Sequence, residues 1–424
     1  MKSGIITGGI AILILAVVAG NWIYGKNIAK KVDEQLKVKI DNSELPATIS
    51  YASITVNPLF SRVEIKDFEV SDEKESVSLN CELVEFDISG KEALRLINDT
   101  TFEELNSLKV QLKGIKYGSS SQETPGVTIE NVTVDFDGHL TKTDIENLHL
   151  IFPKEKQNLE LSFSNLKVNS KITENNKSPL VELQKQFSTI DDGKCILSYN
   201  PDLKEISVKK LSLSSKVLST SSTALLKYSG EGASDFKMIS AKIKSDYNFE
   251  PKDVHWEDGD KSMDFSLSQL AFSSDFTMNF NKPILPEGTI SFLTKGLRAS
   301  YQGNDGNPVF ALPIPGVSFN QIDLEKFSTN YKLRDNKLTI SDTELKSSMI
   351  DASLEADVSI DKENTKNSKI NNAKLVVSKL SPQLEEAVTN MEHQTGKELP
   401  RKDNIITIEI TGTLGQPKIK GLEL

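Results

Sequence analysis

The chain has 424 residues, a net charge of −10 at pH 7 and 26% charged residues. The acidic excess argues against nucleic acid as a partner, and the charged fraction is that of a water-exposed body. Cys81 and Cys195 are the two cysteines and lie far apart in the chain. The sequence therefore predicts neither a disulfide framework nor a metal site, and two inert thiols are favoured over a single disulfide.

The first predicted element is an apolar segment from Ile5 to Tyr24. About 20 such residues span a bilayer, and Trp and Tyr favour its interface. We predict a single-pass transmembrane anchor over residues 1–25. The alternative is a signal peptide with a cleavage site at Val17-Val18-Ala19. The residues expected to contact the membrane are Ile5, Leu13, Val17, Trp22 and Tyr24.

Residues 26–45 follow as a predicted juxtamembrane helix. Ile28, Val32, Leu36 and Ile40 recur at helical spacing and form one apolar stripe. Lysines follow the apolar segment, so the positive-inside rule alone would leave the body in the cytoplasm, although that rule weakens when a long domain follows.

Between residues 63 and 324 one apolar octet recurs seven times, as two alternating pairs separated by two residues. An extra residue between the pairs would turn the second pair to the other face, unless the strand bulges or bends there. Spacers such as Lys66-Asp67 and Lys113-Gly114 suit a bend. We therefore predict kinked strands, each with one apolar face. The copies are Val63/Ile65/Phe68/Val70, Val110/Leu112/Ile115/Tyr117, Val127/Ile129/Val132/Val134, Leu161/Phe163/Leu166/Val168, Ile206/Val208/Leu211/Leu213, Phe265/Leu267/Leu270/Phe272 and Val317/Phe319/Ile322/Leu324.

Residues 46–424 are predicted to form an elongated, mainly β body without linkers between independent domains. Its kinked antiparallel sheet is expected to be either a groove or a sandwich. Short helices are predicted at 91–98, with an extension over 102–105, at 179–189 and at 382–394. The last begins after the capping residue Ser381 and ends at Gly396, with Leu384, Val388 and Met391 as its buried stripe.

Both ends of the body resemble a known superfamily. The segments Tyr51–Leu59 and Val63–Val70 resemble the first hairpin of the AsmA-like proteins of Gram-negative envelopes, and Ile408–Ile419 resembles their closing strand with Gly-Thr-Leu. The segments at 312–317, 336–340 and 350–354 are similar to type II secretion system protein N. A shorter N-terminal likeness, around Trp22 and Gly25, is to the YdgA-like envelope proteins.

This resemblance implies a periplasmic body on the inner membrane, with a sheet curved into a groove whose apolar inner face carries or shields lipid acyl chains. The expected function is non-enzymatic lipid binding or conduction, and the alternative is a structural or assembly component of a secretion apparatus. The expected partners are the bilayer and either phospholipid or envelope and secretion proteins. Closure of the same faces into a sandwich core is the competing structural interpretation. The lipid-facing candidates are Val63, Ile65, Phe68, Val70, Val110, Leu112, Ile115, Val127, Ile129, Val132, Leu161, Phe163, Phe265, Leu267, Phe319 and Ile322.

Motifs for catalysis or cofactor binding are weak throughout the sequence. The four histidines have no metal spacing, and Ser207-Val208-Lys209-Lys210 falls inside an octet rather than at a helix start. The segment 135–139 has an Asp-x-Asp-Gly core but lacks the remaining ligands of a calcium loop, so a strand-ending turn is favoured. No cofactor, metal or enzymatic activity is predicted.

Overall fold

The computed structural model describes residues 29–30, 33–34, 37, 47–57, 62–72, 76–87, 104–119, 125–141, 155–169, 181, 185–230, 236–281, 286–302, 310–311, 318–319 and 321–420. These residues form a mainly β protein with antiparallel strands and few helices, as the sequence predicts. They fall into two compact units. The first takes residues up to 171, 188–216 and 227–237, and the second takes 172–187, 217–226 and 238–424. The chain passes between the units several times, and two of these points fall within strands, β10 (Leu218–Ser229) and β11 (Lys237–Phe249).

The first unit is an antiparallel sheet in which neighbouring strands follow one another along the chain. The strands β1 and β2 both pair with β3, and each strand from β3 to β8 then pairs with the next. The predicted helical extension over 102–105 is wrong from residue 104, where β5 begins, and residues 135–139 lie within β6 rather than in a turn. The strands are β1 (Thr48–Ser50), β2 (Ser53–Asn57), β3 (Arg62–Asp72), β4 (Val77–Asp87), β5 (Glu104–Ser119), β6 (Val127–Thr141), β7 (Gln157–Val168), β8 (Thr189–Asn200) and β9 (Glu205–Ser214).

The second unit is built in the same way from later strands. Its strands pair in the order β11, β14, β15, β18, β19, β20, β21, β23 and β24, while the hairpin β12–β13 lies against the end of β15. β16 and β17 form a separate pair, and β22 pairs with β23. The strands are β11 (Lys237–Phe249), β12 (Val254–Asp258), β13 (Lys261–Ser266), β14 (Gln269–Asn279), β15 (Glu287–Gln302), β16 (Phe310–Ala311), β17 (Ser318–Phe319), β18 (Gln321–Arg334), β19 (Lys337–Ser347), β20 (Ile350–Ser359), β21 (Lys369–Leu380), β22 (Arg401–Lys402), β23 (Ile405–Thr413) and β24 (Gln416–Ile419).

The helix near the C-terminus matches its prediction closely. Helix α1 (Pro382–Thr395) begins after Ser381, whose side chain accepts a hydrogen bond from the Leu384 amide, and ends at Gly396 with φ of 67°. Its predicted stripe is wrong in one position, because Leu384 is buried whereas Met391 is 46% exposed. A short 3₁₀ helix covers Thr365–Asn367.

The other predicted helices fall mostly outside the described residues. Residues 181, 185 and 186 are helical, but β8 begins at Thr189, so that helix is shorter than predicted. The segment 91–98 and the anchor residues Ile5, Leu13, Val17, Trp22 and Tyr24 lie outside the described residues. Where described, residues between 29 and 37 are helical. Among the described residues, no helix is both long and apolar enough to cross a bilayer.

The break inside each octet follows one line across the first unit. Register continues unchanged on both sides of Asp67 in β3, Glu82 in β4 and Gly114 in β5, and these three residues lie opposite one another without forming regular pairs. We call this line the crease. It continues through Glu130, Asn165 and Asp191, and on the other side to Ala52.

The backbone at the crease explains the residue types in the spacers. Asp67, Gly114 and Asn165 have φ of 50°, 64° and 50°. Gly, Asn and Asp tolerate this left-handed region better than other residues do. The extra residue therefore lets all four apolar side chains of an octet remain on one face, and the predicted kink is confirmed. In β9 the extra residue, Lys209, is instead a bulge opposite β8.

Because the creases are aligned, the octets of neighbouring strands form continuous apolar rows. Val63 lies opposite Phe86, Val110 opposite Val134, and residues opposite one another in an antiparallel sheet point to the same face. The rows reveal two octets that the sequence analysis missed, Ile49/Tyr51/Ile54/Val56 in β1 and β2 and Leu79/Cys81/Val84/Phe86 in β4.

The second unit has a shorter crease of the same kind. Ser268, Gly296 and Glu325 lie opposite one another, and Gly296 has φ of 60°. Phe265 in β13 and Leu270 in β14 lie on either side of it and both strands pair with β15. The seventh octet is wrong as a single element, because Phe319 belongs to β17 and pairs with Phe310 of β16, away from Ile322 in β18.

Candidate functional site

The apolar face of the first unit is closed at its N-terminal end. Val63, Ile65, Phe68 and Val70 are between 1% and 4% exposed and belong to the buried core. These four residues therefore do not line an open groove, which corrects their prediction as lipid-facing. All four pack among other apolar side chains of the core cluster.

A helical residue packs against this face, and Tyr51 of the β1–β2 octet bonds to the same helical segment. Ala29 and Tyr51 both pack against the core cluster. The Tyr51 hydroxyl donates a hydrogen bond of 2.7 Å to the Asp33 carboxylate, which fixes the helical segment to the sheet. Burial, together with this hydrogen bond, raises the pKa of Tyr51.

Exposure of the same face increases along the sheet from β3 to β7. Val110 is 6% exposed, whereas Leu161 and Val168 in β7 are 39% and 41% exposed. The other lipid-facing candidates in β5, β6 and β7 have intermediate or low exposure. Ile115 is buried, and Leu112, Val127, Ile129, Val132 and Phe163 are half-buried. The apolar face thus passes from a closed core into a surface that water reaches.

The second unit also has an apolar face, on which some side chains are buried and others are exposed to water. Across its strands, Phe276, Leu333 and Val358 lie in one row, and Ile290 and Tyr331 lie in the next. Val358 in β20 is 5% exposed, but Ile290 and Tyr331 are 39% and 36% exposed. Helix α1 contacts β21 and buries Leu384. Within β14, β15 and β18 the small side chains Ser274, Thr294 and Thr329 of this face are buried as well, so the exposed part of the face is the row of Ile290 and Tyr331.

An apolar cavity of about 360 Å³ lies on this exposed part. It is at the end of the sheet where β14 and β18 end and β15 and β19 begin. Gly288 contributes to its wall beside Phe276, where a Cβ would come within 2.1 Å of the Asp275 carbonyl oxygen, so only glycine permits this approach. The apolar side chains around it are Phe276, Pro286, Ile290, Tyr331, Leu333 and Leu338.

The opposite face of the second unit is polar and carries a larger, open cavity of about 680 Å³. Small side chains such as Ser273 and Ser291 form its floor, and Lys295 and Lys326 stand at one side. Glu344 forms ion pairs with Lys326 at 2.5 Å and with Lys346 at 2.7 Å. These contacts lower the pKa of Glu344 to about 2. One sheet therefore separates an apolar surface from a charged one.

The remaining lipid-facing candidates lie around the second crease. Phe265 and Ile322 are half-buried, and Leu267 is buried at 6% exposure. The structure does not bring these residues into the 360 Å³ cavity, whose lining the octets did not predict. Phe276 in β14, Ile290 in β15, and Tyr331 and Leu333 in β18 alternate with polar residues outside any octet. This alternation was the sequence signal that could have predicted the cavity lining.

The chemical groups in the described residues form no metal site. No cluster of three or more His, Cys, Asp or Glu within the described ranges has the arrangement for an ion. Cys81 is buried and Cys195 is half-buried, and both are free thiols. Burial raises the pKa of Cys81, which disfavours the reactive thiolate.

The pKa of His255 depends on two neighbouring carboxylates. Its ring nitrogens lie 2.5 Å from the Asp264 carboxylate and 3.0 Å from the Glu257 carboxylate, and these contacts raise the pKa of His255. A raised pKa in the folded state means that this contact stabilises the β12–β13 hairpin at acidic pH and is lost as pH rises through that pKa. We expect Asp264→Asn to lower the His255 pKa in an NMR titration of ¹³C-labelled histidine, and Asp260→Asn, in the adjacent turn, to leave it unchanged. An unchanged His255 pKa in Asp264→Asn would contradict the contact.

No protein-family model, curated protein or solved structure matches the chain.

Proposed function

We propose that the protein is a non-enzymatic, membrane-anchored envelope protein whose β body binds the acyl chains of lipid on the apolar face of its second unit. The observation that carries this proposal is the exposed apolar row of Ile290 in β15 and Tyr331 in β18. Ile290 and Tyr331 are more than one third exposed there and lie beside an almost wholly apolar cavity.

Physical chemistry supports an apolar occupant for this surface. Each buried methylene of an acyl chain contributes about 0.8 kcal/mol, so even a short contact along the rows of the face provides useful affinity. The cavity volume of about 360 Å³ falls within the range of roughly 300–1,000 Å³ that is usual for small-molecule sites. The charged opposite face keeps the same sheet in contact with water.

The proposed membrane attachment and location rest on the sequence. The apolar segment Ile5–Tyr24 is expected to anchor the chain in the inner membrane. The resemblance of both body ends to AsmA-like proteins favours a periplasmic location and transfer of lipid along the apolar face. Increasing exposure from β3 to β7 in the first unit supports the same role for Leu161 and Phe163.

Site-specific photocrosslinking in cells tests this proposal directly. A benzophenone amino acid in place of Tyr331 preserves an aromatic side chain on the apolar face, whereas the same substitution at Lys332 places the crosslinker on the polar face. We expect phospholipid adducts at position 331 and few at 332, detected by mass spectrometry of the purified full chain. Equal adduct yields at both positions, or adducts of position 331 with protein alone, would refute lipid binding at this face.

A substitution at the same place gives a quantitative prediction. Tyr331→Asp puts a charge on the surface where acyl chains are proposed to lie, which should reduce bound phospholipid roughly tenfold or more. Because Tyr331 is 36% exposed, the loss of folding stability should be small. Phospholipid per mole of full-length protein, extracted and quantified after identical purification, is the measurement. Lys332→Asp is the matched control and should retain the wild-type amount.

A further inference from the structure

The residues that line the apolar cavity lie near one end of the second unit's strands. Pro286 immediately precedes β15, and the turn at Asp335 and Asn336 joins β18 to β19. Phe280 follows directly after the last residue of β14. We call this region the strand-end surface. It comprises residues 278–281, 286–290 and 331–338, with the neighbouring strand ends at 358–370 and 412–419.

Exposed apolar side chains mark the strand-end surface. Phe280 is 48% exposed, and Leu414, in the turn between β23 and β24, is 50% exposed. The Phe280 amide donates to the Ile239 carbonyl at 2.8 Å, and the Leu414 amide donates to the Ser368 carbonyl at 2.9 Å. Both backbones are therefore fixed while their large side chains remain exposed to water.

The charge of this surface is opposite to that of the whole chain. Within 286–290, 331–338, 358–370 and 412–419, Lys and Arg outnumber Asp and Glu by three. The full chain has a net charge of −10. Arg334 and Lys337 flank the β18–β19 turn and are 73% and 52% exposed at their side chains. Each also pairs with one carboxylate, Arg334 with Asp335 at 3.6 Å and Lys337 with Asp357 at 3.2 Å. A cationic surface with apolar tips is complementary to an anionic bilayer.

We propose that the strand-end surface docks on an anionic lipid bilayer, with Phe280 entering the interfacial region beside the mouth of the apolar cavity. This inference rests on the proposed function and adds its partner, because a docked cavity mouth would let an acyl chain pass between the bilayer and the apolar face without crossing water. Attraction between the cations and the lipid headgroups orients the surface, and burial of the aromatic ring holds it.

Vesicle capture by the full chain tests the docking. The protein is reconstituted into phosphatidylcholine nanodiscs that are immobilised on a sensor surface, and vesicles of phosphatidylcholine alone or with phosphatidylglycerol at 7:3 are passed over it. We expect capture of the anionic vesicles to exceed capture of the neutral ones severalfold, and the excess to fall when salt is raised, since screening weakens surface attraction. Phe280→Ser should reduce capture of the anionic vesicles roughly tenfold.

Leu203→Ser is the matched control, because Leu203 is 62% exposed in the β8–β9 turn and lies outside the strand-end surface. It should leave capture unchanged. Equal capture of neutral and anionic vesicles, or undiminished capture by Phe280→Ser, would overturn the docking proposal.

Photocrosslinking at Tyr331 in the same preparations separates the two proposals. Lipid adducts without vesicle capture would reject docking and preserve lipid binding, whereas capture without adducts would reject lipid binding at the apolar face.

Discussion

Replacing Phe68 by aspartate is expected to unfold the first unit. Phe68 is 4% exposed in the core cluster, next to the crease. An unpaired carboxylate at this position would cost several kcal/mol, in addition to the roughly 3–5 kcal/mol lost when a buried Phe is removed. A typical domain is stable by only about 5–15 kcal/mol. Urea denaturation followed by circular dichroism, together with limited proteolysis of the strands β3 to β6, would measure the loss.

The adjacent polar face supplies the control for this substitution. Lys66 is exposed and lies two residues before Phe68, so Lys66→Asp adds the same side chain without burying it. We expect it to change the free energy of unfolding by less than about 1 kcal/mol. Normal stability of Phe68→Asp with loss of bound lipid would instead mean that the first octet faces an open groove.

Valine at position 114 should destabilise the crease. Gly114 has φ of 64°, and a Cβ there would lie 2.4 Å from the Glu82 carboxyl carbon. A β-branched residue in this left-handed conformation is expected to cost about 1–3 kcal/mol, and displacement of Glu82 would disturb its ion pair of 3.1 Å with Lys116. The midpoint of urea unfolding should therefore decrease without a change in slope.

Asn165→Gly is the corresponding test of the backbone argument. Asn165 has φ of 50° at the same crease, and its amide donates a hydrogen bond to the Glu130 carboxylate. Glycine tolerates this conformation, so we expect a change of within about 1 kcal/mol, from the lost hydrogen bond and the altered unfolded state. Equal unfolding midpoints for Gly114→Val and the wild type would show that the left-handed backbone does not determine the crease.

Much of the local fold was predictable because the octet combines two simple constraints. Alternation assigned Val63 and Ile65 to one face, and the extra residue at Asp67 predicted the kink that returns Phe68 to it. The octets of β1–β2 and β4, which include Tyr51 and Cys81 at apolar positions, were not recognised in the sequence. The predicted seventh octet joins residues that belong to two different sheets.

The degree of cover over the apolar face could not be predicted in the same way. A strand's sequence specifies that one face is apolar, but the residues that cover it come from distant parts of the chain. Val63 and Leu161 carry the same pattern, yet the first is 1% and the second 39% exposed. The pocket residues Ile290 and Tyr331 come from two strands and meet only through their register. Met391 follows helical spacing, but it is 46% exposed.

The aligned crease also limits how this sheet can change in evolution. Deleting Gly114 alone would shift half of β5 by one position and turn its apolar side chains toward water, while β4 and β6 kept theirs. Removing the crease would require matching deletions in every neighbouring strand. Duplication of a whole hairpin, by contrast, copies two strands with their extra residues in place. Such a sheet should therefore lengthen by complete hairpins and resist single-residue deletions within its strands.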